Sequence, residues 1–209
     1  MIDESALAYW DGRYQVGAKH HATQNAQISG DLLLAVHDKP RIHSALQRAN
    51  RIIEIGCGAG DLTHLIGCLY RRKGKLVIGT DLSAVAVLLA RRRYPHDFWE
   101  QLDILNDSLA NYVFDLAVCS NTLEHFRDPH AAIERMFELA PTQLLVVPLN
   151  QPCTDGYEHE GGAGHVFTFT RATFKRYHLV ESCLFTTKGW QHSSKGEKPR
   201  QLAVLIARR

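Results

Sequence analysis

From residue 51 onward, short apolar runs alternate with longer stretches in which apolar residues recur at helical spacing. The short runs are rich in β-branched residues, which favour strands, and the longer stretches carry helix-start signals. Strands that alternate with helices in this way predict β-α-β units and a mostly parallel sheet. The runs that we predict as strands are 51–55, 76–80, 98–101, 114–119, 144–147, 180–188 and 201–207.

Local residues mark where the helices begin. Ser83 precedes one apolar stretch, and Asp128 followed by Pro129 precedes another. Serine and aspartate cap helix N-termini, and proline fits the first helical position. Residues 1–49 are expected to form two or three helical pieces joined by a polar connector. The remaining boundaries that we predict are helices over 61–71, 83–93, 129–141 and 170–177, and a connector around 17–25.

Composition narrows the class of protein. The 209 residues are 45% hydrophobic and 22% charged, which suits one globular domain, and no repeat or linker divides them. The N-terminus lacks the pattern of a secretory signal, and the apolar runs are too short to span a membrane. Five cysteines without a CxxC pair fit the reducing cytoplasm, and a net charge of +2 does not favour a nucleic-acid partner.

A glycine-rich loop, EIGCGAGD, joins the first predicted strand to the helix that follows. Open α/β sheets bind nucleotides at this position, where glycine lets a ligand approach the backbone. The spacing is GxGxG rather than the GxGxxG of dinucleotide sites, and Asp61 stands where a pyrophosphate would lie. No GK[ST] follows, which excludes a P-loop. S-adenosylmethionine carries no phosphate and has two cationic groups, so it suits this loop better.

Two further acids end predicted strands. Asp81 ends the second strand and could accept both ribose hydroxyls, and Asp103 ends the third and could accept from the adenine amino group. Leu82 and Ile104 follow these acids and could sandwich the adenine ring. The ordered set therefore points to an adenosine-containing ligand.

The stretches IIEIGCGAG, VIGTDLS, QLDIL and FDLAVCSNTLEHFRDP, in this order, resemble the class I S-adenosylmethionine-dependent methyltransferase family. The resemblance covers residues 50–150 and, more loosely, the tail GHVFTFTRATF. It implies a doubly wound α/β fold: a mostly parallel seven-stranded sheet with an antiparallel last pair and helices on both faces. It also implies one domain over 1–209, with an N-terminal helical lid (1–49) and a Rossmann-like core (50–209). The predicted cofactor-binding residues are Glu54, Gly56, Cys57, Gly58, Gly60, Asp81, Leu82, Asp103, Ile104, Ser120, Asn121, Trp10 and Arg13.

The lid assignment depends on YWDGRY at positions 9–14, which resembles the YWxxRY lid of several small-molecule methyltransferases. In that lid aromatic side chains cover the cofactor, and a basic residue meets its carboxylate. Trp10 and Arg13 would fill these roles. The alternative is an amphipathic helix that packs its aromatic residues on the core.

Three histidines are candidate catalytic residues: His125, His159 and His165, each with a structural role as the alternative. With Glu124 they partly resemble the metal ligands of small-RNA 3′-terminal ribose 2′-O-methyltransferases, in which a Glu-x-x-Glu-His turn and a later histidine bind a divalent ion. Asn121 stands where the first glutamate would be, so we expect no metal. The long loop 149–164 is expected to form one wall of the acceptor pocket.

These residues predict a cytoplasmic S-adenosylmethionine-dependent methyltransferase that acts on an oxygen or nitrogen of a small molecule. The [ND]PP[YF] motif of base- and amide-methylating enzymes is absent, since SNTL stands at positions 120–123. Two alternatives remain open. One is an RNA methyltransferase of the 3′-terminal ribose type, and the other is a non-catalytic module that binds S-adenosylmethionine.

Overall fold

The computed structural model describes residues 4–70, 74–110, 112–151, 164–187 and 200–208. Two N-terminal helices precede strands and helices that alternate in the order expected of β-α-β units. The elements are α1 (Glu4–His37), α2 (Pro40–Arg48), β1 (Arg51–Ile55), α3 (Asp61–Leu69), β2 (Leu76–Asp81), α4 (Ala84–Arg93), β3 (Phe98–Gln101), β4 (Leu116–Ser120), a 3₁₀ turn (Leu123–His125), α5 (Pro129–Leu139), β5 (Thr142–Pro148), a second 3₁₀ helix (Arg171–Arg176), β6 (His178–Thr186) and β7 (Arg200–Ala207).

The described strands form one seven-stranded sheet in the order β3-β2-β1-β4-β5-β7-β6. Strands β1 to β5 are parallel, whereas β7 runs antiparallel to both β5 and β6. This topology confirms the doubly wound, mostly parallel sheet with an antiparallel last pair. The strand order reverses between β1 and β4, and open α/β sheets bind ligands at the carboxyl ends of the strands beside such a reversal.

Apolar side chains cover both faces of the sheet. In β4, Leu116 and Val118 lie in a cluster with residues of α1, α2 and α3, whereas Ala117 and Cys119 lie in a cluster with residues of α5. Successive side chains of a strand point to opposite faces, so these two clusters are the two faces of the sheet. The prediction of helices on both faces is confirmed.

The predicted helix starts are correct. The Ser83 side chain accepts a hydrogen bond from the backbone N–H of Ala86 at the start of α4. The Asp128 carboxylate accepts from His130 and Ala131 at the start of α5, where Pro129 takes the first position. The predicted helix over 170–177 is a 3₁₀ helix instead of an α-helix.

The predicted connector around residues 17–25 is wrong. Helix α1 continues through it as one 34-residue helix that ends at His37. Residues 38–39 connect it to α2, which begins at Pro40. The stretch GAKHHATQN contains several good helix formers and no proline, and its glycine costs about 1 kcal/mol relative to alanine. Burial of Leu32 and Val36, in the last turns of α1, offsets a cost of that size.

Helix length does not make α1 a membrane segment. Its C-terminal part buries Leu32 and Val36 but exposes Leu34. Within the described ranges, none of the helices carries an apolar stretch long enough to cross a bilayer.

Candidate active site

The glycine loop after β1 is held by the end of β2. The backbone N–H groups of Gly56 and Cys57 both donate to the carbonyl of Thr80, at 2.8 Å each. The next N–H along the loop, that of Gly58, donates to the Asp81 carboxylate at 2.9 Å. These bonds fix the loop against the carboxyl edge of the sheet.

Two of the loop glycines are required by sterics. Gly56 has φ of 74°, and a Cβ there would lie 2.3 Å from the Thr122 side chain. Gly60 has φ of 90°, and a Cβ there would lie 2.5 Å from the Trp99 ring. A side chain at either position would clash with its neighbour. The residue would also have to keep a left-handed backbone conformation, which costs energy for residues other than glycine.

A cavity of about 430 Å³ lies over this loop, between the sheet edge and α1. Its size is typical of a small-molecule or cofactor site. Of the predicted cofactor-binding residues, Gly60 packs on Trp99 without lining the cavity, and Arg13 does not line it either. Those that do line it are Trp10, Glu54, Gly56, Cys57, Gly58, Asp81, Leu82, Asp103, Ile104, Ser120 and Asn121.

Asp81 is the best-placed acceptor in the cavity. Its two carboxylate oxygens accept from the N–H groups of Gly58 and Ser83, at 2.9 Å each. A carboxylate has about four lone-pair positions, so each oxygen keeps one for a ligand hydroxyl. Burial raises the pKa of Asp81 to about 6, which leaves it ionised at neutral pH.

Asp103 and its neighbour line another part of the same cavity. One Asp103 oxygen accepts from the Leu105 N–H at 3.0 Å and the other from the Asn106 side-chain amide at 2.8 Å. These bonds fold the segment after β3 so that Ile104, which is also buried, borders the cavity. Leu82, at the end of β2, borders it as well.

Two more acids border the cavity, and both have internal partners. The Thr63 hydroxyl donates to Glu54, and burial raises the pKa of Glu54 to about 8, so this side chain is protonated at neutral pH. Asp61 forms an ion pair with Arg93 at 2.9 Å and accepts from the Tyr94 hydroxyl at 2.7 Å. The carboxylate of Asp61 is thus held at the N-terminal turn of α3, the place that a pyrophosphate needs.

Helix α1 covers the cavity. Trp10 lines it and packs edge-on against the His125 ring, with centroids 4.6 Å apart. Asp11 accepts from the hydroxyl of Ser83, which joins α1 to the start of α4. Arg13 donates to the Tyr9 hydroxyl at 2.7 Å and lies over the Tyr9 and Trp10 rings. In this arrangement Arg13 packs on the aromatic residues of α1.

The candidate histidines occupy different positions. His125 lines the cavity, and its Nδ1 donates to the Gly164 carbonyl at 2.9 Å, which leaves the lone pair on Nε2. Burial lowers its pKa to about 3, so it is neutral. His165 is 4% exposed and does not line the cavity; its ring lies 5.2 Å from that of His125, and burial lowers its pKa to about 4. His159 lies outside the described residues.

Glu124 completes a cluster with these two histidines, in which Glu124 and His165 are buried and His125 is half-buried. It is fully buried, and among the described residues neither carboxylate oxygen has a hydrogen-bond partner. One oxygen lies 3.8 Å from His165 Nε2, and burial raises the pKa of Glu124 to about 8. Ligand-type atoms of Glu124, His125 and His165 all lie within 4.8 Å of one another, a spacing at which they could hold a metal ion.

Several lining residues were absent from the predicted set. The sequence could have identified Tyr14, because this residue ends the YWDGRY motif. Burial raises the pKa of its hydroxyl. Leu102, Asn106 and Thr122 lie close in sequence to the predicted residues Asp103 and Asn121. Ile28 and Ser29 belong to α1, and only tertiary packing brings them to the site.

Comparison with known proteins agrees with this geometry. A family model described as a methyltransferase domain matches residues 25–186. Trans-aconitate 2-methyltransferase of Variovorax paradoxus is 31% identical over 105 residues, which are 50% of this chain and 40% of that protein. 2-Phytyl-1,4-naphtoquinone methyltransferase of Thermosynechococcus vestitus is 33% identical over 111 residues, which are 51% of this chain and 49% of that protein. The chain therefore spans less than half the length of these curated relatives.

Solved structures show the same fold. Magnesium protoporphyrin IX methyltransferase from Synechocystis PCC 6803 with bound SAH superposes with a TM-score of 0.62, at 15% identity, over 100% of this chain and 96% of that one. A SAM-dependent methyltransferase from Methanosarcina mazei gives a TM-score of 0.59, at 20% identity, over 81% of this chain and 97% of that one. Since the family model matches most of the sequence, this chain belongs to the methyltransferase domain family.

Proposed function

We propose that this protein transfers a methyl group from S-adenosylmethionine to an oxygen or nitrogen of a small-molecule acceptor. The observation that carries the proposal is the cavity at the carboxyl edge of the sheet, with ionised Asp81 at the end of β2 and the glycine loop beside it. The names of the two curated relatives refer to small acceptors, which supports an acceptor of this class.

The residues present fit the cofactor. Asp81 retains lone pairs for two ribose hydroxyls, and the apolar Leu82 and Ile104 border the space that a purine ring would occupy. Gly56, Cys57 and Gly58 of the glycine loop line the cavity, where the amino-acid end of the cofactor would lie. S-adenosylmethionine supplies a methyl group activated by its positive sulfur, so the protein mainly has to align the acceptor with it.

We assign the histidines to the acceptor side of the cavity. A neutral His125 with a pKa of about 3 is a weak base, so its fitting role is to orient the acceptor and to brace the lid. His165 would act through His125 as a positioning residue. We place one wall of the acceptor pocket in the loop 149–164. We assign His159, which belongs to that loop, as the base that takes the proton of the acceptor.

A second candidate is methylation of an RNA ribose with a divalent ion. The close approach of Glu124, His125 and His165 favours it. One observation favours metal-free transfer instead: Asn121 stands in the turn at the position where a carboxylate ligand would be.

A cytoplasmic location stays a prediction from cysteine usage. The four cysteines in the described part of the chain are all free thiols.

The proposed function is tested with cofactor that carries a deuterated methyl group, incubated with a small-metabolite extract and, separately, with small RNA. We expect the label in one or a few small products, identified by mass. Label in RNA alone would contradict the small-molecule assignment. Cofactor binding without any labelled product would support the non-catalytic module.

Transfer is expected to proceed without a divalent ion, so a chelator should leave the initial rate unchanged. In the same assay His159→Ala or His165→Ala should lower turnover more than cofactor affinity, because both act after the cofactor is bound. Loss of activity in chelator, restored by manganese, would favour the RNA candidate. Wild-type turnover in both variants would show that alignment alone carries the transfer.

Replacing Asp81 should weaken cofactor binding. Asp81→Asn removes a charged acceptor, and a hydrogen bond to a charged group is worth about 1.5–3 kcal/mol, or roughly a tenfold to hundredfold change in Kd. Calorimetric titration of the folded variant with S-adenosylmethionine measures the loss.

The matched control is Asp115→Asn. Asp115 also accepts two backbone N–H bonds, from Asn50 and Arg51, but at the amino edge of the sheet, away from the cavity. Both variants should lose some stability, whereas only Asp81→Asn should lose affinity. Equal affinities in the two variants would disprove the ribose assignment.

A further inference from the structure

We propose that Glu54 binds the ammonium group of S-adenosylmethionine and gives up a proton when the cofactor enters the cavity. The proposal rests on the proposed function, because it concerns the same cavity and the same cofactor. Glu54 belongs to β1, is 2% exposed and borders the cavity. The transfer of the methyl group makes no use of this carboxyl group, so its position needs another explanation.

Glu54 lies where a ligand bound to Asp81 can also reach it. Strands β1 and β2 are parallel neighbours, with Glu54 opposite Gly79. Neighbouring strands lie about 4.8 Å apart, and both acids line the same cavity near the ends of their strands. A cofactor with its ribose on Asp81 and its amino-acid end over the glycine loop therefore passes Glu54, which directly precedes that loop.

The three acids beside the loop differ in how their charge is compensated. Asp61 has the Arg93 guanidinium at 2.9 Å, and Asp81 accepts from two backbone N–H groups. Glu54 accepts from the hydroxyl of Thr63, a neutral group, and none of the ion pairs among the described residues includes Glu54. A buried carboxylate without a cation is costly, so Glu54 is the acid that holds a proton before the cofactor binds.

The surroundings of Glu54 act in the same direction. Burial raises its pKa to about 8; hydrogen bonds from Thr63 oppose the rise, and the charges of Asp61 and Asp81 add to it. About nine in ten molecules therefore carry the proton at pH 7. The titratable groups that face Glu54 from its neighbouring segments are negatively charged or neutral. They are Asp61 of α3, Asp81 of β2, Cys57 of the glycine loop, Cys119 of β4 and Tyr14 of α1.

An ammonium group supplies the missing positive charge. A cation beside a carboxyl group favours its ionised form, so the pKa of Glu54 falls when the cofactor binds. The O–H bond of the acid breaks, its proton passes to solvent, and an ammonium N–H donates to the carboxylate in its place. Such a charge-assisted hydrogen bond is stronger than one between neutral groups. Between pH 6.5 and 7.5 cofactor affinity should therefore rise with pH, because less free energy is needed to remove the proton from Glu54.

The test counts the protons that the full-length protein releases on binding. Calorimetric titrations at pH 7 are run in phosphate and in Tris, two buffers with different ionisation enthalpies, so that the difference in the observed enthalpy gives the number of protons released. We expect close to one proton with S-adenosylmethionine and with S-adenosylhomocysteine, which keeps the ammonium group but lacks the positive sulfur. 5′-Methylthioadenosine has no ammonium group and should release none.

The three ligands separate the possible results. Binding of S-adenosylmethionine without proton release would overturn this proposal and leave the proposed function standing. Release with S-adenosylmethionine but not with S-adenosylhomocysteine would assign the effect to the sulfur and refute the role of the ammonium group. If the protein binds none of the three ligands, the proposed function itself fails.

A variant identifies the group that titrates. Glu54→Gln keeps the shape of the side chain and an acceptor for Thr63, so it should bind S-adenosylmethionine more weakly, without proton release. The matched control is Glu181→Gln, because Glu181 also accepts hydrogen bonds but from the start of α2, away from the cavity. Circular dichroism verifies that both variants are folded, and the comparison of the three ligands needs no variant. Release of the proton by folded Glu54→Gln would refute the role of Glu54.

Discussion

The anchoring of the glycine loop to the end of β2 is the constraint on which the rest of the site depends. The Thr80 carbonyl takes the first two N–H groups of the loop, and the Asp81 carboxylate takes the N–H of Gly58. Because Asp81 also binds the N–H of Ser83, one buried carboxylate organises both the loop and the start of α4. This explains why an ionised acid can be retained at a largely buried position: its charge is compensated by backbone dipoles and remains available to a ligand.

Helix α1 and the turn after β4 pack on this anchored edge. Asp11 of α1 binds the Ser83 hydroxyl, which itself caps α4, and Trp10 packs against His125. His125 then binds the Gly164 carbonyl, which ties the turn to the chain segment that precedes β6. The cavity is therefore enclosed by three distant parts of the chain, which these contacts join.

Local signals explain how much of this could be predicted. The strands, the caps at Ser83 and Asp128, and the acid that ends β2 depend on neighbouring residues, so the sequence indicates them directly. The continuity of α1 could not be read in the same way, because it depends on packing of its last turns against the sheet. The grouping of His165 with Glu124 and His125 followed from the resemblance and from no local pattern, since its contacts join the turn after β4 to the segment before β6.

The central claim is that this edge is built for a phosphate-free, positively charged adenosine cofactor. The α3 N-terminus holds Asp61, paired with Arg93 and Tyr94, where a dinucleotide would place its pyrophosphate. The most direct test is calorimetric titration of the purified protein with S-adenosylmethionine, its demethylated product and NAD. The account predicts binding of the first two and no binding of NAD. Tight binding of NAD with no response to S-adenosylmethionine would contradict it.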